Sequence, residues 1–523
     1  MRGWRAACGA AAAGVCLALP AAPAQAAKSC SEPGGEWQRA TPGEAGMDAA
    51  KLQDALDYGS ANLAFAVRVY RHGCLVGEDR LAAANRNQTY ESYSMAKSVT
   101  SLIFGRAMTV HAISPDDPVG GLLPEADRGH GRISARNLLT QTSGLRWNGF
   151  RDYNVFTMPD RVRDALTLEH AHMPGTYFEY AQSPVALLAE QVGRSVSEDV
   201  QAFGQRELMD PLGIPAAAWS WKRDNAGHVQ GFYGVQMRAD DYGRLGELLR
   251  RGGVWSGRRL LSKRFVREAV APSQKNGCYG YLIWVNAGAP CIGPTVQERP
   301  VSQQRDFPDL PADMYRFSGL FGQLVTVFPA QGLLVVRTGQ DPSLLFSGGA
   351  DWEHGLYKRV LDAVTDQRIV APGPARPHGG GGRENADYGF QNSLREPDQY
   401  SQGAVQKPLP PAGPARARAV QLEPGRPRGR RRVTIAVRLR CPTRWPSAMH
   451  PGCRGRVTLG GSSRRGLRYS LAPGRTKVVR FKLTRRRMSA IRRRGRSRLL
   501  LSARDLDAGG GTLSRLLLTV RRR

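Results

Sequence analysis

Tyr90-Glu91-Ser92-Tyr93-Ser94-Met95-Ala96-Lys97-Ser98-Val99-Thr100-Ser101-Leu102-Ile103 holds the one Ser-x-x-Lys of this 523-residue chain, and its reading decides the rest. Residues three apart share a helix face, so the Lys97 amine is expected beside the Ser94 hydroxyl. A serine alcohol is a weak nucleophile at neutral pH; a lysine desolvated in a cleft loses basicity and can accept its proton. If Ser94 opens the helix, the free N–H groups of the first turn and the positive end of the macrodipole favour an oxyanion there. Val99, Leu102, Ile103 and Phe104 suit a buried helix behind such a site.

Length and composition bound the setting. A chain this long is expected to hold two domains, because single cores stop growing at roughly 250 to 300 residues. Residues 1–26 read as a signal peptide: Arg2 and Arg5, an apolar small-residue stretch over 6–19, then Ala24-Gln25-Ala26 as a cleavage site. The stretch is too short for a membrane span, and Lys28 before Cys30 argues against a lipid anchor. The mature protein is expected to be secreted or associated with the cell envelope, with no transmembrane segment. Six cysteines then remain in an oxidising compartment. Fifteen pairings are possible in principle; proximity favours Cys278 with Cys291 and Cys441 with Cys453, leaving Cys30 for Cys74. No Cys-x-x-Cys or His-x-x-x-His spacing occurs, so no metal is indicated, and no cofactor is implied.

The formal charge of +31 is concentrated at one end. Residues 431–523 carry 27 Lys and Arg against 2 Asp. The basicity belongs to this tail and not to the rest of the chain.

Along the chain, residues 43–60 read as a helix capped by Asp48. Alternating Leu63, Phe65, Val67 and Val69, then Arg71-His72-Gly73 and Leu75-Val76-Gly77, read as a hairpin. A mostly helical region runs to about residue 275. Strands return at 280–285, 322–328 and 333–337, and a helix closes the unit over 352–364. Strands at both ends with helices between predict an α/β (α+β) fold: one antiparallel sheet built from distant pieces, flanked by helices and carrying a helical insertion. Ser94 falls at the junction, where clefts form. The expected division is a hydrolase-type domain over 27–366, a Pro/Gly/Arg-rich linker over 367–430, and a small all-β sandwich over 431–523.

Three further blocks follow Ser94-Met95-Ala96-Lys97 in order. They are Ile113-Ser114-Pro115-Asp116-Asp117-Pro118-Val119, Leu138-Leu139-Thr140-Gln141-Thr142-Ser143-Gly144-Leu145, and Pro174-Gly175-Thr176-Tyr177-Phe178-Glu179-Tyr180-Ala181-Gln182. With these, residues 40–365 resemble the serine β-lactamase-like hydrolases: class C β-lactamases, D-alanyl-D-alanine carboxypeptidases, family VIII carboxylesterases and 6-aminohexanoate-dimer hydrolases. The resemblance implies Ser94 as nucleophile, Lys97 and Tyr180 as proton carriers, and Tyr180-Ala181-Gln182 in place of the family's Tyr-x-Asn. Phe317-Ser318-Gly319 matches the third motif. There the resemblance implies substrate contacts at Gln182 and Ser318, close backbone approach at Gly319, and an oxyanion hole from the N–H groups of Ser94 and Leu320. Phe317 stands where β-lactamases and carboxypeptidases carry a cation for the substrate carboxylate, and strand alternation sends Arg316 to the other face.

The function expected is an ester- or amide-cleaving serine hydrolase acting on a small or peptide-like substrate. Two alternatives stand beside it: a D-Ala-D-Ala carboxypeptidase or β-lactamase, and a non-catalytic binding relative. No Gly-x-Ser-x-Gly elbow occurs, and no motif places a histidine as a triad member; His170 and His172 are expected in a solvated loop. The tail resembles basic sandwich repeats appended to exported actinobacterial proteins. Export makes an anionic cell-envelope polymer, and not nucleic acid, its expected partner through 431–523.

Overall fold

The computed structural model describes residues 27–147, 152, 159–294, 301–345 and 351–377, with seven strands between residues 421 and 521. The 1–26 segment read as a signal peptide, most of the 367–430 segment read as linker, Cys441, and the arginine triplets at 485–487 and 492–494 lie outside the described residues.

Helix α1, Ala49–Ala61, starts where expected: the Asp48 carboxylate accepts from the Lys51 N–H and satisfies one of the orphan donors of the first turn. Strands β1 (Ala64–Arg71) and β2 (Cys74–Glu78) form the hairpin, turning through His72 and Gly73 at positive φ. The predicted alternation fails at its start. The register of β1 shifts between Ala64 and Ala66, so Phe65 bulges outward and stands 44% exposed while Val67 and Val69 are buried.

The central helix α2, Met95–Thr109, is buried through residue 107, as an apolar segment surrounded by other elements must be. Helices α3 (Ser183–Val196) and α4 (Ala239–Arg250) dominate the helical region. A small sheet of Thr89–Glu91, Val235–Arg238 and Trp219–Trp221, absent from the sequence expectation, ties the approach to Ser94 to that region. Strands β3 (Trp284–Val285), β4 (Tyr315–Gly319), β5 (Gln323–Phe328) and β6 (Leu333–Gly339) and helix α5 (Trp352–Asp362) complete the unit. The strand expected over 280–285 shrinks to two residues. Leu282 takes positive φ, its N–H bonds Leu139 and its carbonyl receives the Ser98 hydroxyl, which draws it out of the ladder.

The main sheet runs β2-β1-β6-β5-β4-β3, antiparallel throughout, so the first hairpin pairs with the last long strand. Its period-two pattern builds two cores. Val67, Val69, Leu324, Leu333 and Val335 pack with α1 and α5 on one face; Ala66, Val325, Val327, Leu334 and Val336 join the larger core containing α2 and α4 on the other. The C-terminal strands pair into a three-stranded and a four-stranded antiparallel sheet. Among them Gln421–Pro424, inside the expected linker, is an edge strand with its proline at the end. Among the described residues no helix is long and apolar enough to cross a membrane.

Two disulfides form, Cys278–Cys291, the pair that proximity favoured, and Cys30–Cys74, the pair left by it, with sequence separations of 13 and 44. Closing the longer loop removes more freedom from the unfolded chain. Replacing the Cys30–Cys74 pair by alanine should lower unfolding free energy by about 4 kcal/mol and the Cys278–Cys291 pair by about 3 kcal/mol, read from urea melts at constant m-value.

Candidate active site

The turn before α2 is strained where it delivers Ser94. Tyr93 holds φ 46° and its ring meets edge-on that of Phe321, itself at φ 63°, with centroids 4.9 Å apart. Side chains in this region of backbone space cost of order 1–3 kcal/mol and persist only when packing holds them. Ser94 occupies the N-cap position without using its hydroxyl as a cap, which leaves Oγ free for other partners.

One turn on, Lys97 is fully buried and its Nζ donates to Ser94 Oγ at 3.0 Å. The same nitrogen donates to Gln182 Oε1 at 2.6 Å, reaches the Phe232 carbonyl at 3.5 Å, and lies 4.6 Å from the centre of the Tyr180 ring. Burial pushes the amine down to about 7, opposed only in part by the Asp152 carboxylate.

Tyr180 and Gln182 are held by the Leu138–Leu145 block through one residue. Gln141, at φ 56°, takes the Glu179 N–H on its carbonyl and the Ala181 N–H on its side-chain oxygen, each at 2.8 Å. The Tyr180 ring is bracketed by Tyr279 and Trp284. Gln182 sits at the N-terminus of α3, and its extra methylene over asparagine is the reach that brings Oε1 to Lys97.

From the sheet side, Gly319 permits contact with the helix and not only with a ligand. A Cβ there would stand 2.2 Å from the Ser92 carbonyl oxygen and 3.2 Å from the Met95 nitrogen. Ser318, Gly319 and Leu320 line, with Ser94, Tyr180 and Gln182, a cleft of about 260 Å³. The seven residues singled out from the sequence therefore gather at one cleft: six of them line it, and Lys97 lies fully buried behind Ser94.

Other expectations change. Phe317 is fully buried in the large core and does not reach the cleft; Arg316 is held by ion pairs to Asp306 and Glu353. Among nearby aromatics, Trp284 lines the cleft, Trp147 is buried against Asp152, and Tyr281 bonds Glu268. The remaining aromatic residues of the wall are Tyr93, Phe232, Tyr233, Phe321 and Trp352, scattered in sequence and without periodic signal. Among the described residues lining the cleft, the charged side chains are Asp341 and Glu353, neither of them a cation. His170 and His172 are only partly solvated: both are half-buried, one packed on His130 and the other stacked on Tyr177 at 3.7 Å.

Sequence reasoning missed Asp152. It is buried, accepts the Gln182 N–H at 2.9 Å on one oxygen and the Trp147 indole N–H at 3.1 Å on the other, and burial pushes its carboxyl up to about 6. Nothing in Arg151-Asp152-Tyr153 distinguishes it from a surface aspartate; its role exists only once the chain is folded.

The β-lactamase family model matches residues 51–356, which span both the helix of Ser94 and the strand of Gly319. Among solved structures, the chain is similar to a Bacillus anthracis protein described as a candidate 6-aminohexanoate-dimer hydrolase (14% identity, 64% of this chain and 89% of that one, TM-score 0.48). It is also similar to the D-alanine carboxypeptidase AmpC from Burkholderia cenocepacia (18% identity, 60% and 99%, TM-score 0.44) and to a β-lactamase/D-alanine carboxypeptidase from Pseudomonas syringae (16%, 60% and 97%, TM-score 0.44). No curated protein sequence matches it. With more than half of its length matched by the family model, and with a mixed helix and antiparallel-sheet architecture around the Ser94 cleft, this chain belongs to the β-lactamase family of hydrolases.

Proposed function

We propose that the protein is an exported serine hydrolase that cleaves an ester or amide bond through an acyl-enzyme on Ser94. The observation that carries the reading is the 3.0 Å contact between a fully buried amine and the Ser94 hydroxyl at the floor of an open cleft. Ser94 Oγ attacks the carbonyl carbon while its proton passes to Lys97, with the Tyr180 phenol as the relay toward the leaving group. The oxyanion of the tetrahedral intermediate is taken by the N–H groups of Ser94 and Leu320. Collapse breaks the bond to the alcohol or amine, which leaves with the proton; water then attacks the acyl-enzyme by the reverse route and releases the acid. Gln182 and Ser318 contact the substrate beside the reacting carbonyl.

The lining favours an ester or a neutral amide over the carboxylate-bearing substrates of carboxypeptidases and β-lactamases. Aromatic rings supply contact area but no charge-assisted bond to a carboxylate. Export rests on the leader-like 1–26 segment and on the two disulfides. We further propose that 431–523 is a separate all-β module that holds the enzyme against anionic envelope polymer.

Ser94→Ala should lower p-nitrophenyl ester hydrolysis by at least about a thousand-fold and abolish labelling by a fluorophosphonate. Labelling that survives the substitution rejects Ser94 as the nucleophile, whereas no labelling of the unsubstituted protein points to the silent binding relative instead. Since only the neutral amine accepts a proton, and Lys97 is held near 7, the acylation rate should rise with pH through about 7 and level off above it. A flat profile between pH 5 and 9 counts against Lys97 as base. The full-length protein should be retained on anionic cell-wall polymer and released as salt shortens the Debye length; a deletion of 431–523 should pass through.

A further inference from the structure

We infer that Asp152 is a positioning residue for Lys97: through Gln182 it fixes both the location and the charge state of the amine, an inference that rests on the reading of Lys97 as the base for Ser94. The geometry is a three-member chain. The Asp152 carboxylate takes the backbone N–H of Gln182, and the side-chain oxygen of the same Gln182 takes the Lys97 Nζ. One residue thus bridges two buried ionisable groups, one basic and one acidic, that make no direct hydrogen bond.

The surroundings of the pair come from three directions. The Trp147 indole donates to the second carboxylate oxygen, and the α3 N-terminus presents the N–H groups of Gln182 and Ser183. Lys97 faces Asp152 from α2, with the Tyr180 ring against its amine. Among the described residues the charge acting on Lys97 in that setting is Asp152, and it favours the protonated form against the desolvation that opposes it. Without that anion the amine would be a weaker base still, and neutral over a wider range. The helix N-terminus in turn steadies the carboxylate, since its unsatisfied donors and its dipole favour negative charge there. The result is a base tuned from behind, by a group that never meets the substrate: Asp152 does not line the cleft.

The test is the titration of Lys97 itself in the full-length protein, followed by NMR of ¹³Cε-labelled lysine and assigned with Lys97→Met. Asp152→Asn keeps the shape, loses the charge and can accept only one of the two N–H bonds. It should move the Lys97 midpoint down by about one pH unit. Trp147→Phe, which keeps the carboxylate but removes one of its donors, should move it the same way by less. The acid limb of ester hydrolysis should follow the midpoint in both variants, whereas a purely structural defect lowers the whole profile without displacing it. A midpoint unchanged or raised in either variant overturns the inference. An enzyme that does not hydrolyse esters overturns the Ser94 reading alone, because the lysine titration decides the role of Asp152 without turnover.

Discussion

Removing the Lys97 amine from water while keeping it beside the Ser94 hydroxyl is the constraint on which the rest of the site depends. An ammonium buried without compensation costs several kcal/mol, and the chain meets that cost in two ways. Desolvation shifts the amine toward its neutral form, and Gln182, the Phe232 carbonyl and Ser94 give it hydrogen-bond acceptors. A lysine left in solvent at the same spacing would keep its proton near neutrality and could not take one from serine. On the proposed reading burial is therefore the source of reactivity, and the fold is arranged around one helix end accordingly.

That arrangement joins parts of the chain that are remote in sequence. α2 supplies the hydroxyl and the amine, the segment before α3 supplies the phenol and the amide, and β4 supplies the backbone that closes the other side. Each joint has its own device. Gly319 removes the one Cβ that would collide with the Ser92 carbonyl, so β4 can lie against the start of α2. Gln141 takes a backbone conformation rare for a side-chain-bearing residue, and with it clamps residues 179–181. Tyr93 and Phe321 do the same on the two sides of the cleft mouth. Local strain collects where three segments must meet within a few ångströms, and the two packed cores of the sheet are what sustain it.

How much of this is legible without coordinates depends on the range of each signal. The helix of Ser94 and Lys97 is readable because spacing of three fixes relative placement locally, and the hairpin, β5, β6 and α5 are readable from periodicity. Tyr180, Gln182 and the Ser318-Gly319-Leu320 segment come from resemblance, since no local pattern says that they meet Ser94. The misses have physical causes. Phe65 is apolar yet exposed because it is itself the bulged residue that breaks the alternation. The run at 280–285 looks like a strand, but tertiary hydrogen bonds at Leu282 override its propensity. The partner of the Trp147 indole N–H, a buried carboxylate, has no local signal either. Asp152 is invisible because burial is a property of the folded chain and not of the residue type.

The same reasoning bears on what the cleft selects. A fixed cation rejects a substrate that lacks the matching carboxylate, because the cation is then left unpaired in a desolvated site. This cleft has aromatic walls, and its two carboxylates are already engaged: Asp341 by Trp352 and Ser343, Glu353 by Arg316 and Tyr357. A neutral substrate leaves no charge stranded there. Apolar walls distinguish one acyl group from another by only about 1–3 kcal/mol per methylene, so discrimination against close analogues is shallow. On the proposed reading, rate differences between substrates then come chiefly from the reactivity of the carbonyl and from how well it sits over Ser94. Placement of the base matters more than recognition of the acyl group, which is why the amine, and not the pocket wall, carries the most elaborate support in this fold.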